Sequence, residues 1–484
     1  MASELTRREM FKVSGAALGG AALAGAMTGC SGSSFIPEAK GQEPGPDPTK
    51  MNSLIAGLPP YYPGTEALGP NEMRITFLGT SCIPRLAQEC NSVFVETGSG
   101  DNIIFDCGTG VVAKYQAMGI GFAKMNKIFL THLHGDHMSD LTHIYCFGPS
   151  TERKNPLYVF GPSKSNVPDP DTGVIYEDGL NAFCQSFRDF CRWHTESFSF
   201  GVTRAKFPNW TLPTQDDWGL PVNPTAIPGD NAEDGYALVP IELPWENYGL
   251  VPGDNQAYYN KDTKVRITHF PAIHCRKGSI SYKLEWNSLS MIFSGDTKPN
   301  YFMIDHAGGV DVLIHEMVVP AEVWAMKNLG ITDPSQVEAG TWNAAFNYAK
   351  AVQNSSHTPQ GAFGYILSQI NPSPRQVVAT HFQATDDTIA SAMTSIRNHY
   401  PRGPVTIAAD LMVLNVTPGN ITIRRAEVSD WAWYPRATLY PISYPPKYHD
   451  GNNQPDPTAQ LDPTGAVPQT DPNTGIANWD PNGY

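Results

Sequence analysis

The sequence contains no Cys-x-x-Cys pair and no run of lysine and arginine, and only 17% of its residues are charged. Without cysteine pairs at metal-binding spacing, any metal must be held by histidine and carboxylate side chains. The formal net charge of −14, with no basic run to offset it, disfavours nucleic acid as a partner, because phosphate backbones repel an acidic surface. A hydrophobic fraction of 41% over 484 residues is enough for a large core and excludes wholesale disorder.

The first thirty residues have the pattern of an export signal. Two adjacent arginines, Arg7 and Arg8, precede a small-residue apolar stretch at 13–28 that is too short and too weakly apolar to span a membrane. This pattern resembles the twin-arginine signal, which exports folded proteins, and a generic secretory signal is the alternative. Residues 27–30 resemble a lipobox, which makes Cys30 a candidate for lipid anchoring. We therefore expect an exported protein, either periplasmic or anchored as a lipoprotein at the outer side of the cytoplasmic membrane or at the outer membrane.

The rest of the chain divides by composition into a linker or arm (31–70), a main domain (71–427) and a Pro/Asp-rich tail (428–484). Within the main domain, residues 163–262 show weak periodicity and many acidic residues, and we interpret them as an irregular insertion. Apolar patterning predicts strands at 74–78, 92–96, 102–106, 127–130, 265–268, 280–284, 290–293 and 377–379. It predicts helices at about 335–352 and 358–370. Seven cysteines follow the signal, and their odd number leaves at least one unpaired.

Three histidines and a carboxylate follow directly on the predicted strand 127–130. They are His132, His134, Asp136 and His137, in the segment Thr-His-Leu-His-Gly-Asp-His. So many imidazoles at the end of a buried strand are costly unless they are paired or bound to metal. Mixed imidazole and carboxylate sets suit zinc, manganese or iron(II) better than calcium. The sequence therefore predicts a metal site here.

The segment THLHGDH resembles the HxHxDH signature of the metallo-β-lactamase fold superfamily. Further segments match the pattern of that family in the same order: Phe77-Leu78-Gly79-Thr80, Phe105-Asp106-Cys107-Gly108, Ile273-His274-Cys275, Ser294-Gly295-Asp296-Thr297 and Ala379-Thr380-His381-Phe382. The resemblance covers roughly residues 72–425. It implies an α/β fold, the αββα four-layer sandwich, with metals at one edge among the loops that follow the strands.

The resemblance also implies a centre with two divalent metal ions, zinc first and manganese or iron as alternatives. One ion would bind His132, His134 and His274, the other would bind Asp136, His137 and His381, and Asp296 would bridge them. Two cations so close lower the pKa of a shared water and stabilise negative charge on the attacked group. Asp136 would also hold the attacking hydroxide in line. Asp106 would orient a ligand histidine or the loop, with turn capping as the alternative.

Four segments narrow the resemblance to the ribonuclease Z and arylsulfatase-like branch: FLGTSCIP, FSGDTKP, LIHEM at 313–317 and SHT at 356–358. In that branch the His of the His-Glu pair is a candidate proton donor to the leaving group. His315 is therefore the expected donor, with Glu316 beside it, and a satisfied strand-end histidine is the alternative. His357 is expected to cap the N-terminus of a helix or to support the site. Asp296 argues against an antibiotic hydrolase, because true β-lactamases of this fold lack an aspartate at the bridging position.

Three features argue against transfer RNA processing by this chain. First, many bacterial ribonuclease Z enzymes carry a basic arm at the point where only three residues separate Trp286 from Ser290. Second, the added length at 163–262 is acidic. Third, an exported protein does not meet tRNA precursors. We expect an exported dinuclear hydrolase for a phosphodiester, or a related phosphate or sulfate ester, of a small molecule. The alternatives are a lactonase or other carboxylic ester or amide hydrolase, a tRNA 3′ endonuclease, and a non-catalytic surface lipoprotein. The sequence leaves the oligomeric state open.

Overall fold

The computed structural model describes residues 57–197, 212–227, 235–250 and 255–432. The predicted export signal, including Cys30, lies outside these residues, as does the predicted tail after residue 432. Part of the predicted arm is described, and in it Pro60–Tyr61 forms a short strand. In the described part of the chain, no helix is both long and apolar enough to cross a membrane, and all seven cysteines are free thiols.

Two β-sheets form the centre of the protein. Sixteen strands are described: β1 (Pro60–Tyr61), β2 (Met73–Gly79), β3 (Ser92–Thr97), β4 (Asn102–Phe105), β5 (Lys127–Phe129), β6 (Leu157–Pro162), β7 (Leu238–Leu243), β8 (Gln256–Tyr259), β9 (Arg266–Pro271), β10 (Ile280–Trp286), β11 (Leu289–Phe293), β12 (Val312–Glu316), β13 (Gln376–Thr380), β14 (Val405–Ile407), β15 (Met412–Val416) and β16 (Ile421–Ala426). The first sheet has the order β1-β16-β15-β2-β3-β4-β5-β6-β7, and the second has the order β14-β13-β12-β11-β10-β9-β8. All eight strands that the sequence predicts are present.

Helices cover the outer faces of the sheets. They are α1 (Val111–Ala117), α2 (Gly135–Met138), α3 (Leu141–Thr151), α4 (Leu180–Phe190), α5 (Arg192–Ser197), α6 (Gln215–Trp218), α7 (Tyr301–Ala307), α8 (Ala321–Leu329), α9 (Ala339–Ser356), α10 (Gln360–Gln369) and α11 (Asp386–Arg397). The two predicted helices correspond to α9 and α10. One apolar cluster fills the space between the sheets, and two further clusters join each sheet to its helices. The mixed α/β sandwich expected from the sequence is therefore confirmed.

An aromatic layer lies directly beneath the strand ends that lead into the predicted site. The Phe105 ring is 5.6 Å from Tyr282 and 5.7 Å from Phe293, so it joins the two sheets. Phe129 stacks on Phe160 with 4.1 Å between ring centroids. Large rings in close contact fix their neighbours firmly. Asp106 follows Phe105 directly, so its position is set by this layer.

Residues 163–262 are more regular than their weak periodicity predicts. Within their described part, β7 pairs in parallel with β6 at the edge of the first sheet, and β8 pairs with β9 at the edge of the second. The expectation of an irregular insertion is therefore wrong for these segments. The reason is burial: β7 is buried along most of its length, so its sequence, with Pro240 inside it, shows no alternation between apolar and polar residues.

Candidate metal centre

The predicted ligands lie in loops that follow strands of both sheets. The histidine-rich segment leaves β5 and turns into the short helix α2, which carries Asp136 and His137. Asp296 follows β11, and His381 follows β13. Strands β4 and β5 run parallel, as do β11, β12 and β13, so the carboxyl ends within each group reach one edge of its sheet.

The structure brings the seven predicted ligands together as two groups that share Asp296. In the first group, His132, His134, His274 and Asp296 each offer one atom, and these atoms lie within 4.8 Å of one another. His274 Nε2 is 3.2 Å from His134 Nδ1 and 3.8 Å from Asp296 Oδ2. His132 Nε2 is 3.9 Å from the same Asp296 Oδ2.

The second group contains Asp136, His137, His381 and the other carboxylate oxygen of Asp296. His137 Nε2 lies 3.4 Å from Asp136 Oδ2 and 3.3 Å from Asp296 Oδ1. His381 Nε2 lies 3.2 Å and 3.3 Å from the same two oxygens. Because Asp296 turns one oxygen toward each group, its carboxylate has the placement that a bridging ligand needs.

The donor atoms fit divalent metal ions by their chemistry and by their lack of other partners. His132 Nε2, His137 Nε2 and Asp296 Oδ1 are buried and make no hydrogen bond, which is rare for polar atoms unless something else satisfies them. Burial, aided by neighbouring imidazoles, lowers the pKa of His132 and of His134. A lower pKa favours the neutral imidazole, which is the form that binds metal.

Three of the histidines are held from behind through Nδ1, which leaves Nε2 facing the centre. His137 Nδ1 donates to Asp106 Oδ2 at 2.7 Å, and His274 Nδ1 donates to the carbonyl of Ser356 at 2.8 Å. His132 Nδ1 is 3.0 Å from Thr131 Oγ1. Asp106 also accepts hydrogen bonds from the amide and hydroxyl of Thr131. Asp106 therefore contacts both His137 and the start of the loop, the placement that a residue orienting a metal ligand needs.

Two residues of the centre adopt left-handed backbone conformations. Asp106 has φ 55° and His381 has φ 60°. Such values are uncommon for residues other than glycine and cost about 1 kcal/mol or more when the surroundings impose them. The chain accepts this cost at two positions that carry side chains needed at the centre.

The loop that carries the predicted ligands also approaches Gly108 too closely for any other residue. A Cβ at this position would lie 2.1 Å from the carbonyl oxygen of Asp136, a distance that real Cβ atoms essentially never show. We expect Gly108→Ala to displace α2 and to weaken metal binding by about 10- to 100-fold, the usual cost of disturbing the support of a metal ligand. Metal titration followed by mass spectrometry measures the change.

Gly340→Ala is the matched control, because a Cβ at Gly340 meets no atom within 4 Å. Its metal affinity should equal that of the unmodified protein. If the Gly108 variant bound metal as tightly as the unmodified protein, the loop would have to move farther than its packing indicates.

His315 does not lie with the predicted ligands. It is fully buried, its ring is 5.3 Å from Phe363, and burial lowers its pKa and keeps it neutral. It belongs to the face of β12 that packs against α10. Neighbouring residues of a strand point to opposite faces, so when Glu316 faces the centre His315 cannot. The assignment of His315 as proton donor is corrected on this ground.

His357 occupies the place that the sequence assigned to His315. Its Nδ1 donates to Glu316 Oε1 at 3.0 Å and lies 3.8 Å from Asp296 Oδ2. Its ring is 5.0 Å from His274 and 5.4 Å from His381. Burial opposes protonation, but the carboxylates of Glu316 and Asp296 outweigh it and raise the pKa of His357 to about 9. The expected N-cap role is wrong, because His357 is the C-cap residue of α9 and Pro359 is the N-cap residue of α10. Its contact with Glu316 agrees with the other expected role, support of the site.

Glu316 is the partner that fixes His357. It is fully buried, and its Oε1 accepts from the amide of Thr297 at 2.8 Å as well as from His357. Glu316 and His357, together with His381, form a third cluster of possible ligand atoms, which lie within 4.8 Å of one another. The segment SHT in the sequence was a signal for His357, although on its own it does not distinguish capping from chemistry.

Comparisons with known proteins give one family model and many relatives. The family model "Anti-Pycsar protein Apyc1" matches residues 73–165. A ribonuclease Z from Archaeoglobus fulgidus is 38% identical over 279 residues, which cover 53% of this chain and 78% of that protein. A ribonuclease Z from Natronomonas pharaonis is 40% identical over 92 residues, 19% of this chain, and the chain spans only 29% of its length. A metallo-β-lactamase fold protein from Bacillus subtilis has 15% identity and a TM-score of 0.42, over 71% of this chain and all of that one.

Proposed function

We propose that this chain, which belongs to the ribonuclease Z-like branch of the metallo-β-lactamase fold superfamily, hydrolyses a phosphodiester or a related phosphate or sulfate ester of a small molecule. The relatives are metal-dependent hydrolases, and this chain is placed among such enzymes. The observation that carries the proposal is the His357–Glu316 pair beside the shared carboxylate of Asp296. A proton donor next to a cluster of possible metal ligands favours the cleavage of esters whose alcohols are poor leaving groups.

The proposed centre holds two divalent ions, zinc first, with manganese or iron as alternatives. One ion would be held by His132, His134 and His274. The other would be held by Asp136, His137 and His381, and Asp296 would bind both ions. Bound ions would supply an activated water and stabilise the negative charge that develops on the phosphoryl or sulfuryl group. The donor set of imidazole and carboxylate, with its unpartnered buried atoms, supports this assignment.

Side chains of the protein itself would orient the attacking water and transfer the protons. Asp136 Oδ2 lies between the ring nitrogens of His137 and His381, so this carboxylate would orient the attacking water and receive its proton. His357, held through Nδ1 by Glu316, would donate a proton from Nε2 to the oxygen of the departing alcohol. Glu316 would keep that imidazole in the right tautomer and stabilise its charged form.

A small substrate is favoured over transfer RNA by the hairpin between β10 and β11. Trp286 pairs with Leu289, so the turn consists of Asn287 and Ser288 alone, and both have positive φ. A two-residue turn of this type leaves no space for an inserted arm. Together with the net charge of −14, this supports a proposal without nucleic acid as partner.

Export remains part of the proposal. Arg7 and Arg8 before the apolar stretch support twin-arginine export, and Cys30 supports a lipid anchor. Fractionation of cells that express the full chain tests this, and full retention in the cytoplasm would contradict it.

The substrate class is tested with the metal-replete protein on three types of ester. We expect turnover of bis(p-nitrophenyl) phosphate, or of p-nitrophenyl sulfate, at a kcat/KM at least about tenfold above that for lactones. Asp136→Ala should abolish this turnover, because the carboxylate at the centre is lost. If lactones alone were hydrolysed, the chain would be a carboxylic ester hydrolase on the same centre. If less than one metal per chain remained after purification, a non-catalytic role would be favoured.

A further inference from the structure

A cavity of about 390 Å³ opens beside the metal centre on the side of His357 and His381. Its apolar wall comes from the segment after β12, from α8 and from α9, and consists of Val318, Val319, Val323, Trp324 and Val352. This volume lies in the range of sites that bury a small ligand, and it holds a bicyclic aromatic group with room to spare.

Most of the polar groups that line this cavity have partners within the protein: Lys327 pairs with Asp387 at 2.8 Å, while Arg85 Nε and His381 Nδ1 are buried without a hydrogen bond. Gln353 Nε2 donates to the carbonyl of Val319 at 2.6 Å, and Gln383 Nε2 donates to Cys82 Sγ at 2.7 Å. Arg85 donates to the carbonyl of Ala384 at 2.9 Å. Burial raises the pKa of Cys82 to about 12, so its thiol is neutral. A polar ligand would find few unsatisfied partners here, whereas an apolar one would replace water at little cost.

The opposite side of the centre has a different character. A smaller cavity of about 150 Å³ adjoins His132, His134 and His274, and Arg276 and Lys277 also line it. One acidic residue, Asp178, pairs with Arg276 at 2.9 Å. Polar and charged side chains thus make up most of its lining, whereas four valines and Trp324 form one wall of the cavity at His357, where Arg85 and Lys327 are the charged residues. The two sides of the centre therefore offer unlike surroundings to the two halves of a substrate.

We infer that the cavity at His357 receives the leaving group of the ester, and that this leaving group is an apolar alcohol of aromatic size. The retained half of the substrate then faces the cavity with Arg276 and Lys277 and carries polar or anionic groups. This inference rests on the proposed function, because it uses His357 as the proton donor. The alcohol that takes the proton must lie within hydrogen-bonding distance of His357, and His357 is part of the apolar cavity wall.

The chemistry balances with water as the sole co-reactant. The oxygen of water forms a bond to phosphorus while the bond from phosphorus to the alcohol oxygen breaks. That oxygen takes the proton of His357, and the proton of water goes to Asp136. The products are the apolar alcohol and a phosphate monoester that keeps the polar half. Transfer of the proton from Asp136 to His357 through solvent restores both groups.

The test is a mixed diester, 2-naphthyl 3-carboxyphenyl phosphate, with the metal-replete full chain. Its two possible leaving groups have closely similar acidity, so the intrinsic chemistry hardly prefers either. Chromatography of the products gives the ratio of 2-naphthol to 3-hydroxybenzoate released. We expect at least about tenfold more 2-naphthol, a preference of about 1.4 kcal/mol. A ratio near one, or an excess of 3-hydroxybenzoate, would overturn the inference while the proposed function stood.

Val352→Asp should bring this ratio close to one, because it places a carboxylate on the apolar wall. Val352 is 39% exposed, so the variant should fold. Val174→Asp is the matched control: Val174 is 47% exposed and does not line either cavity, and the ratio should stay unchanged. An equal loss of preference in both variants would contradict the role of the cavity.

A binding measurement with 2-naphthol tests the inference independently of the proposed function. Its fluorescence in the presence of the protein should report binding that Val352→Asp weakens by about tenfold or more and Val174→Asp does not. If 2-naphthol bound in this pattern but no diester were cleaved, the proposed function would fail and the apolar cavity would remain a ligand site. If 2-naphthol did not bind and the ratio were near one, the inference itself would be wrong.

Discussion

Replacing Asp296 with asparagine is expected to remove most of the bound metal and to lower hydrolysis by at least about 10³-fold. The size follows from the several kcal/mol that metal ions contribute to charge stabilisation, since 1.36 kcal/mol corresponds to a factor of ten in rate. Asp296 Oδ2 faces the His132 group and Oδ1 faces the His137 group, so one substitution weakens both. Metal content per chain, measured by mass spectrometry on desalted protein, is the primary readout.

Asp305→Asn serves as the control for this substitution. Asp305 lies exposed on α7 and takes no part in the ligand clusters, so metal content and rate should stay unchanged. An Asp296 variant that kept its full metal content would show that the two groups hold metal independently, and that the shared carboxylate is not a bridge.

Replacing His357 with glutamine is expected to lower kcat by about 10²- to 10⁴-fold for esters of poorly leaving alcohols, the usual contribution of a general acid. Metal content should fall little, because the seven ligands remain. For a p-nitrophenyl ester, whose alcohol leaves without help, the loss should be only about a few fold. The measurement is kcat across a series of esters with leaving groups of graded acidity. A steeper dependence on acidity in the variant is the expected signature.

His315→Gln separates this role from the one that the sequence assigned. His315 contacts Phe363 inside the protein, so its loss should lower stability and leave the dependence on leaving-group acidity unchanged. His399→Gln, at an exposed position in the turn after α11, should alter neither. If the His315 variant reproduced the steeper dependence and the His357 variant did not, the proton donor would have to be reassigned.

The contrast between these two histidines shows where sequence reasoning reaches its limit. The ligand segments could be predicted because each follows a buried strand, and the chain must place strand ends at the edge of a sheet. The roles of His315 and Glu316 were harder to predict, because the two residues are adjacent in the sequence but point to opposite faces of β12. Alternation along β12 was available as a signal: Val312 and Ile314 share a face with Glu316 and lie in the core between the sheets, whereas Leu313 lies on the side of His315.

The strands β7 and β8 were missed for another reason. β7 pairs with β6 although residues 163–237 separate them, and pairing at such a distance leaves no local trace in the sequence. β8 pairs with the next strand, β9, but has only four residues, too few for a clear apolar pattern. The cavity at His357 was also beyond prediction, because its wall combines residues from four separate segments (82–85, 318–327, 352–357 and 381–388) that come together only in the folded chain.

The seven converging side chains also constrain when the protein can acquire its metals. The predicted ligands extend from His132 to His381 and follow strands of both sheets, so a sandwich that lacks either sheet does not contain a complete set. Contacts of such high sequence separation form slowly, because the entropy of closing long loops must be paid first. Metals bound by the native state alone would raise the free energy of unfolding by mass action, and a chelator would lower it. Metal ions would therefore bind only after both sheets have assembled, and a chain that crossed a membrane unfolded would have to find them on the far side.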